Sequence, residues 1–527
     1  MRDIKTKTLI GRLLPVAAVV FASLLAVTSQ AAAPGITGLS FDLVAAPGNI
    51  SQPDGASIYS WGYGCNSTPS GFAPAAISNA SCPTGTMQLP GPTLIVTEGQ
   101  TVTVKLTNKL PAAAGNTSIL FPGFDVAATG GAPGLLTQEA TQTVPVTYTF
   151  TAKTPGTHSY YSGTQGDLQV EMGLFGALIV LPATTPAACA DTRPTYTAAY
   201  NTDRGNGVPA DFRLAKAAFN HPSACYDREY LFQFSELDPR IHTQAAQQAG
   251  NACTSPTGCM VIDTEPYHAV YFLINGRSMP DIADPNYAPQ YPAQPYNGNP
   301  HMHPGELTLV RIIGQGRMQH PFHEHANHLR VLARDGNMLL TPTSNRLAGP
   351  LLFTTTTTPG QTMDALFQWT AKGLNWDVYA HGPADATTAD AITGTKCVPD
   401  ANGYHSVPTD YNFYEWCGDH GKPLESKPFG NVGGSGPVTL PDANIVANGA
   451  WYSGSPYFGP EATMRAVGPT PIPPFGTVGN DPGSEAGFAY MWHSHNEREI
   501  TTNNIFPGGM MMMMLVDPWV FNINEAN

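Results

Sequence analysis

PGPTLIVTEGQTVTVKLTNKLP, Pro90 to Pro111, is the stretch whose reading decides the fold class. Alternating runs at Thr93–Val96 and Thr101–Thr107 read as strands, because successive strand side chains point to opposite faces. Gly99 punctuates them. The pattern returns at Val144–Thr151 and Leu174–Leu181, with Pro155 and Gly156 between. Composition agrees. The charged fraction is 12%, about half the usual ~25%, and there are 53 Gly and 49 Pro among 527 residues. Such a chain favours many short strands joined by tight turns over long helices. The expected class is all-β.

Working outward, a first unit runs from 34 to 183. Residues 184–225 read as a connector closed at both ends by Cys189 and Cys225. A second unit, 226–527, starts near Tyr226. Its expected strands are Tyr230–Phe234, Ala269–Ile274, Leu307–Ile313, His328–Ala333, Leu351–Thr358, Ala365–Trp369 and Met511–Val516. A Pro/Gly/Asn-rich stretch, about 382–485, lacks periodicity and reads as an insertion stapled by Cys397 and Cys417. Three units remain the alternative, because the length permits them. No short repeat is evident.

The N-terminus carries Arg2, Lys5, Lys7 and Arg12, then an apolar run from Leu13 to Val27 and small residues at Ser29, Ala31, Ala32 and Ala33. That pattern is a secretory signal peptide, 1–31, and the run is shorter than the ~20 residues a membrane span needs. The expected location is therefore exported, periplasmic or extracellular. Losing those four cations and Asp3 takes the net charge from −14 to −17. An acidic chain without a basic run is a poor nucleic-acid ligand. Eight cysteines, an even number in an exported chain, read as disulfides, with sequence-neighbour pairing the most economical of 105 connectivities. No later apolar run approaches the length of a span, so no membrane span is expected, and neither is a nucleic-acid partner; a homo-oligomer stays open.

Metal-binding potential is concentrated near the C-terminus. Five of the 15 histidines stand at His320, His323 and His325 in HPFHEHANH and at His493 and His495 in MWHSHNE. Imidazole suits copper, zinc, iron and nickel. On a strand, His323 and His325 share one face, as do His493 and His495. A lone histidine is usually a satisfied surface or core residue; two clusters of this density are not explained that way.

These residues carry a resemblance. HPFHEH resembles the multicopper oxidase motif H-P-x-H-x-H, and HSH before a Gly-Met step resembles its closing H-C-H…G-M motif. Pro90–Pro111 resembles the opening strands of that family's first cupredoxin domain, and Gly156–Pro182 its last strands. YDREYLFQFSELDP, Tyr226 to Pro239, with FLINGRSMPD, Phe272 to Asp281, resembles the start of a following domain. The resemblance implies tandem cupredoxin-like Greek-key β-barrel or sandwich domains, copper as cofactor, and a small-molecule or metal-ion substrate.

Residue by residue, this chain departs from the pattern. Leu120 and Pro122 in TSILFPG replace two first-domain ligands, and Tyr161 and Gly163 replace two more. Of these only a Tyr161 phenolate could bind copper. His320 matches a type 1 copper ligand, but Ser494 stands for the cysteine and Glu499 for the second histidine. A blue copper site depends on a thiolate. The expected centre is therefore reduced to His320, His323, His325, His493 and His495. With Phe121, Phe124, Tyr160 and Tyr161 supplying bulk, the former ligand surface reads as a lid on those histidines; an opened substrate pocket is the alternative.

Met510–Met514 invites a copper(I) reading, but alternation prevents five thioethers from converging, and Met fills cores readily. Core strand is the expectation, with Met510 as a vestigial axial ligand. His301 and His303 read as a solvated pair, and His328 as a neighbour of the cluster. Glu324, Glu497 and Glu499 would, if they joined it, favour iron, manganese or zinc. Two function classes follow: a copper-dependent oxidoreductase whose substrate meets the metal directly, or a non-catalytic metal-binding cupredoxin. No G-x-S-x-G or H-E-x-x-H motif supports a hydrolase.

Overall fold

The computed structural model describes residues 33–73, 82–189, 213–302, 306–369, 396–400, 406–407, 454–457 and 487–516. The segment read as a signal peptide and most of the 382–485 stretch lie outside these. Among the described residues, no helix is long and apolar enough to cross a membrane.

Thr101–Asn108 shows how the first half is built. Val102, Val104 and Leu106 are buried while their neighbours face out, as the alternating sequence requires. Two five-stranded sheets close around these side chains. One runs in the order Ser57–Cys65, Ser40–Ser51, Thr101–Asn108, Val146–Thr151, Ala127–Gly130. The other runs Gly156–Tyr161, Phe175–Leu181, Leu94–Thr97, Gly35–Thr37, Gly71–Ala73.

Ser40–Ser51 and Ser57–Cys65, the most extensively paired hairpin, escape the sequence reading because Pro47 and Gly48 interrupt the first strand. The register explains the tolerance. Ser40–Ala45 pairs on its second side with Thr103–Asn108, and from Ala46 on only Ser57–Cys65 remains as partner. Pro47 therefore sits where its missing N–H faces an open edge. A helix, Pro239–Gln248, also goes unread. Its signal is the Asp-Pro step: the Asp238 side chain accepts from Arg240 N, and Pro takes the first turn.

In the second half, one sheet runs Tyr271–Ile274, Arg228–Leu237, Leu307–Gly314, Thr362–Gln368, Leu329–Arg334, Asn337–Met338, with Leu351–Leu352 beside Leu329–Arg334. The facing sheet carries the histidines. Its central strands are β1 (His320–Glu324), β2 (Thr354–Thr357), β3 (Gly487–Ser494) and β4 (Met511–Val516), in the order β4-β3-β1-β2. Their inward side chains, Phe322, Tyr490, Trp492, Met512 and Met514, join one buried cluster with Phe232, Phe234 and Phe367 of the other sheet. The methionine run is a core strand. The expected strand Leu351–Thr358 is split at Phe353, so each piece serves a different sheet.

A buried polar seam locks the halves together. Asp364 accepts from Thr157 N (3.0 Å) and Thr157 Oγ1 (2.6 Å), and Arg311 bridges Asp364 and Glu229. Three disulfides join sequence neighbours, Cys65–Cys82, Cys189–Cys225 and Cys253–Cys259, and Cys397 is disulfide-bonded as well.

Candidate metal centre

Strand alternation divides the histidine motif in two. On β1, His320, Phe322 and Glu324 turn inward, while His323 turns to the other face. On β3, Tyr490, Trp492 and Ser494 turn inward and His493 turns outward. Antiparallel register sets His323 directly opposite His493, and Phe322 opposite Ser494. His325 and His495 follow on the same outward face. Four imidazoles thus meet across one strand pair.

Their rings lie close: centroids are 4.9 Å apart for His323 and His325, and 5.1 Å for both His323–His495 and His325–His493. His323–His493 and His493–His495 measure 5.6 and 5.8 Å. Nε2 of His493 stands 3.2 Å from Nε2 of His325. Nδ1 of His493 donates to the Ser494 carbonyl (2.7 Å), which leaves Nε2 with its lone pair. Nδ1 of His323 pairs with Thr354 Oγ1 at 2.8 Å. Burial lowers the pKa of His323 to about 4, reinforced by the three neighbouring imidazoles; burial lowers that of His493 too. Both rings are neutral at pH 7. His323, His325 and His493 are mostly buried, and His495 is exposed. Among the described residues no three His, Cys, Asp or Glu groups stand where they could together hold a metal ion, so the four rings are close neighbours rather than a formed coordination shell.

The sequence groups His320 with these four; the structure sets it apart. His320 is fully buried, with Nδ1 2.9 Å from Glu499 Oε2 and Nε2 2.9 Å from Glu236 Oε2. Burial alone would lower its pKa, but the two carboxylates outweigh that and hold it at about 9. It is an imidazolium clamped between carboxylates. Glu499 also accepts from Ser494 Oγ and Asn496 Nδ2, and Glu236 from the amides of Arg317 and Met318. Glu499 therefore bonds to both His320 and Ser494, and so links the three positions that the sequence resemblance matches to type 1 copper ligands.

Glu324 faces the core, its Oε1 bonded to Thr355 Oγ1, and burial raises its pKa well above the carboxylate range. Glu499 serves His320, and Glu497 is exposed. The outward donor set is thus all imidazole. His328 stacks on Phe353 and stands apart, and His301 lies on a short strand beside Leu515. His303 lies outside the described residues. Met510 is buried in the core, its backbone bonded to Glu499 and Ser494.

The lid expectation is corrected. Phe121 and Tyr160 turn into the first barrel's core, and Phe124 packs on Phe150 and His158. Leu120 and Tyr161 pair with each other through their backbones, and with Gly163 they line a pocket of about 540 Å³. Its opposite wall is Gln315, Gly316, Pro359 and Gly360. Pro359 lies two residues beyond Thr357, the partner of His320, whereas His323 pairs with Thr354 at the far end of the ladder. At ~3.3 Å per residue the four imidazoles lie about 10 Å further along β1 than His320.

Comparison with known proteins is consistent with this reading of the fold. Residues 72–185 match a family described as multicopper oxidase. No curated protein matches the chain. Solved structures it is similar to include a blue copper oxidase from Nitrosomonas europaea, at 15% identity and a TM-score of 0.44, covering 90% of this chain and 85% of that one. A copper nitrite reductase from the same organism is 18% identical over 62% of this chain and 84% of that one, with a TM-score of 0.36. A laccase from Botrytis aclada is 18% identical over 66% and 48%, also with a TM-score of 0.36. The family match lies within the first barrel, at residues 72–185, and the chain as described is all-β with cupredoxin-like sheets.

Proposed function

We propose that His323, His325, His493 and His495 hold a single copper ion, and that the protein is an exported copper-dependent oxidoreductase with a reduced metal centre. The 3.2 Å separation of the two Nε2 atoms carries this reading. Two ligand nitrogens each ~2.0–2.1 Å from one ion stand about that far apart at a bond angle of ~100°. Rings disposed around such an ion have centroids ~5 Å apart, close to the spacings of His323, His325, His493 and His495. Ligating histidines commonly give their other nitrogen to a carbonyl or similar partner, the part that the Ser494 carbonyl and Thr354 play here. Copper, when bound, would supply one-electron chemistry at this face.

The protein's own residues limit what that chemistry can be. Ser494 offers no thiolate and His320 has no free nitrogen, so no Cys-His link feeds electrons to the face. A small-molecule or metal-ion substrate must come directly to the imidazoles, and the exposed His495 leaves that side open. Disulfides support export. The accompanying layout is a first cupredoxin domain at 34–183, a connector at 184–225 and a second domain at 226–527.

The imidazolium–carboxylate pair in the former type 1 position favours a second reading, a copper-binding cupredoxin without turnover. Metal analysis together with oxygen uptake separates the two. About one copper per chain with oxygen-dependent turnover supports the enzyme, copper without turnover supports the binder, and no copper sinks both.

A further inference from the structure

The pocket between Leu120 and Gln315 sits where the family would place first-domain ligands, and nothing in the proposed copper chemistry uses it. We propose that it is a binding site for a small uncharged molecule, flat and apolar, with one hydrogen-bond donor.

Three observations lead there. The volume, about 540 Å³, falls within the ~300–1,000 Å³ of small-molecule sites, and both halves of the chain contribute walls. Among the described residues, none that lines it is an acid, a lysine, an arginine or a histidine. Behind one wall lies negative charge: a Cβ at Gly316 would come within 2.5 Å of the Glu236 carboxylate, so only backbone separates a bound molecule from the Glu236–His320 pair. A charged guest would lose its hydration with no partner to replace it.

Gln315 supplies the polar contact. It is 2% exposed, and its amide nitrogen donates to Gly176 O and Gln233 Oε1. Its amide oxygen accepts no hydrogen bond among the described residues, which leaves it available to a guest at the pocket wall. The Tyr161 hydroxyl, near Gly360, likewise has none. Leu135 and Leu136, 92% and 63% exposed, form an apolar rim. Apolar walls, an available acceptor and no charge describe the guest by complement.

Indole is a probe of that description, with indole-3-acetate as the anionic control of similar shape. Calorimetric titration of the full chain should give one indole site, present with and without copper, and an affinity for the anion at least about tenfold weaker. Gly166 lines the pocket, and a Cβ there meets nothing within 4 Å, so Gly166→Leu adds bulk at the pocket wall from a position with open space around its Cβ. Gly166→Leu and Leu136→Asp should each weaken indole roughly tenfold while leaving the unfolding temperature and copper content unchanged. No heat with millimolar indole, equal affinity for the anion, or wild-type affinity in both variants would overturn the proposal. So would self-association of the wild type that Leu136→Asp abolishes, because the rim would then be an interface between copies.

Discussion

His320 and His323 lie three residues apart on one strand, yet one is held as a cation and the other as a neutral base. Alternation sends them to opposite faces, and each face then decides the chemistry. Inward, His320 meets Glu236 and Glu499 and keeps its proton to about pH 9. Outward, His323 is buried among three other imidazoles and gives up its proton at about pH 4. A copper ion needs the second state, since a ligand nitrogen must offer a lone pair. Within one strand the protein thus holds one imidazole protonated and another neutral, the state that the proposed copper site requires.

The heaviest blow to this contrast should be Glu499→Ala. Removing one partner of a buried ion pair leaves charge uncompensated and typically costs ~3–5 kcal/mol. Denaturant unfolding should show a loss of that order, with copper stoichiometry intact if His320 stands apart from the metal. Loss of copper at retained stability would mean that the two faces are one site.

Raising the pH tests the same pair without a mutation. The folded pKa of His320 is raised from 6.5 to about 9, so its contribution is fully present below pH 6.5 and is lost as pH rises through 9. The amount at stake is roughly 3 kcal/mol. His323 has the opposite sign. Its folded pKa is depressed, so the unfolded chain binds more protons between about pH 4 and 6.5, and metal-free stability should fall as pH drops through that window. A stability curve flat from pH 7 to 10 would remove the imidazolium from the account.

The outward face is tested by His323→Ala together with His495→Ala. Loss of neighbours of metal ligands typically costs ~10–100-fold in affinity, and loss of two ligands should cost at least that much. Copper competition titrations would read it; unchanged affinity would refute the four-imidazole site. Copper-loaded wild type should also lack an intense blue thiolate band, because Ser494 supplies no thiolate. The smallest effect belongs to His301→Ala, which should leave copper content unchanged, since His301 lies on a separate short strand beside Leu515.

Much of the scaffold was legible because periodicity is local. The alternation of Thr101–Thr107 and the turn at Gly99 announce strands whatever lies opposite. The Ser40–Ser51 strand was not legible, because Pro47 is tolerated only where the neighbouring strand has ended, a fact of register. Likewise Phe121 and Tyr160 read as bulk for a lid, but only the packed barrel shows them turned into its own core. The all-imidazole character of the outward face depended on seeing where Glu324 and Glu499 point.

By itself the sequence determined that this is a β-protein with paired histidine motifs and without the cysteine of a blue copper site, because composition, alternation and residue identity are properties of the chain alone. Only the tertiary structure decided which histidines meet. His323 faces His493 through antiparallel register, while Glu236, 84 residues before His320, reaches its ring from a strand of the opposite sheet. Protonation follows from such distant neighbours, since burial and a carboxylate at 2.9 Å set a pKa that no local pattern encodes.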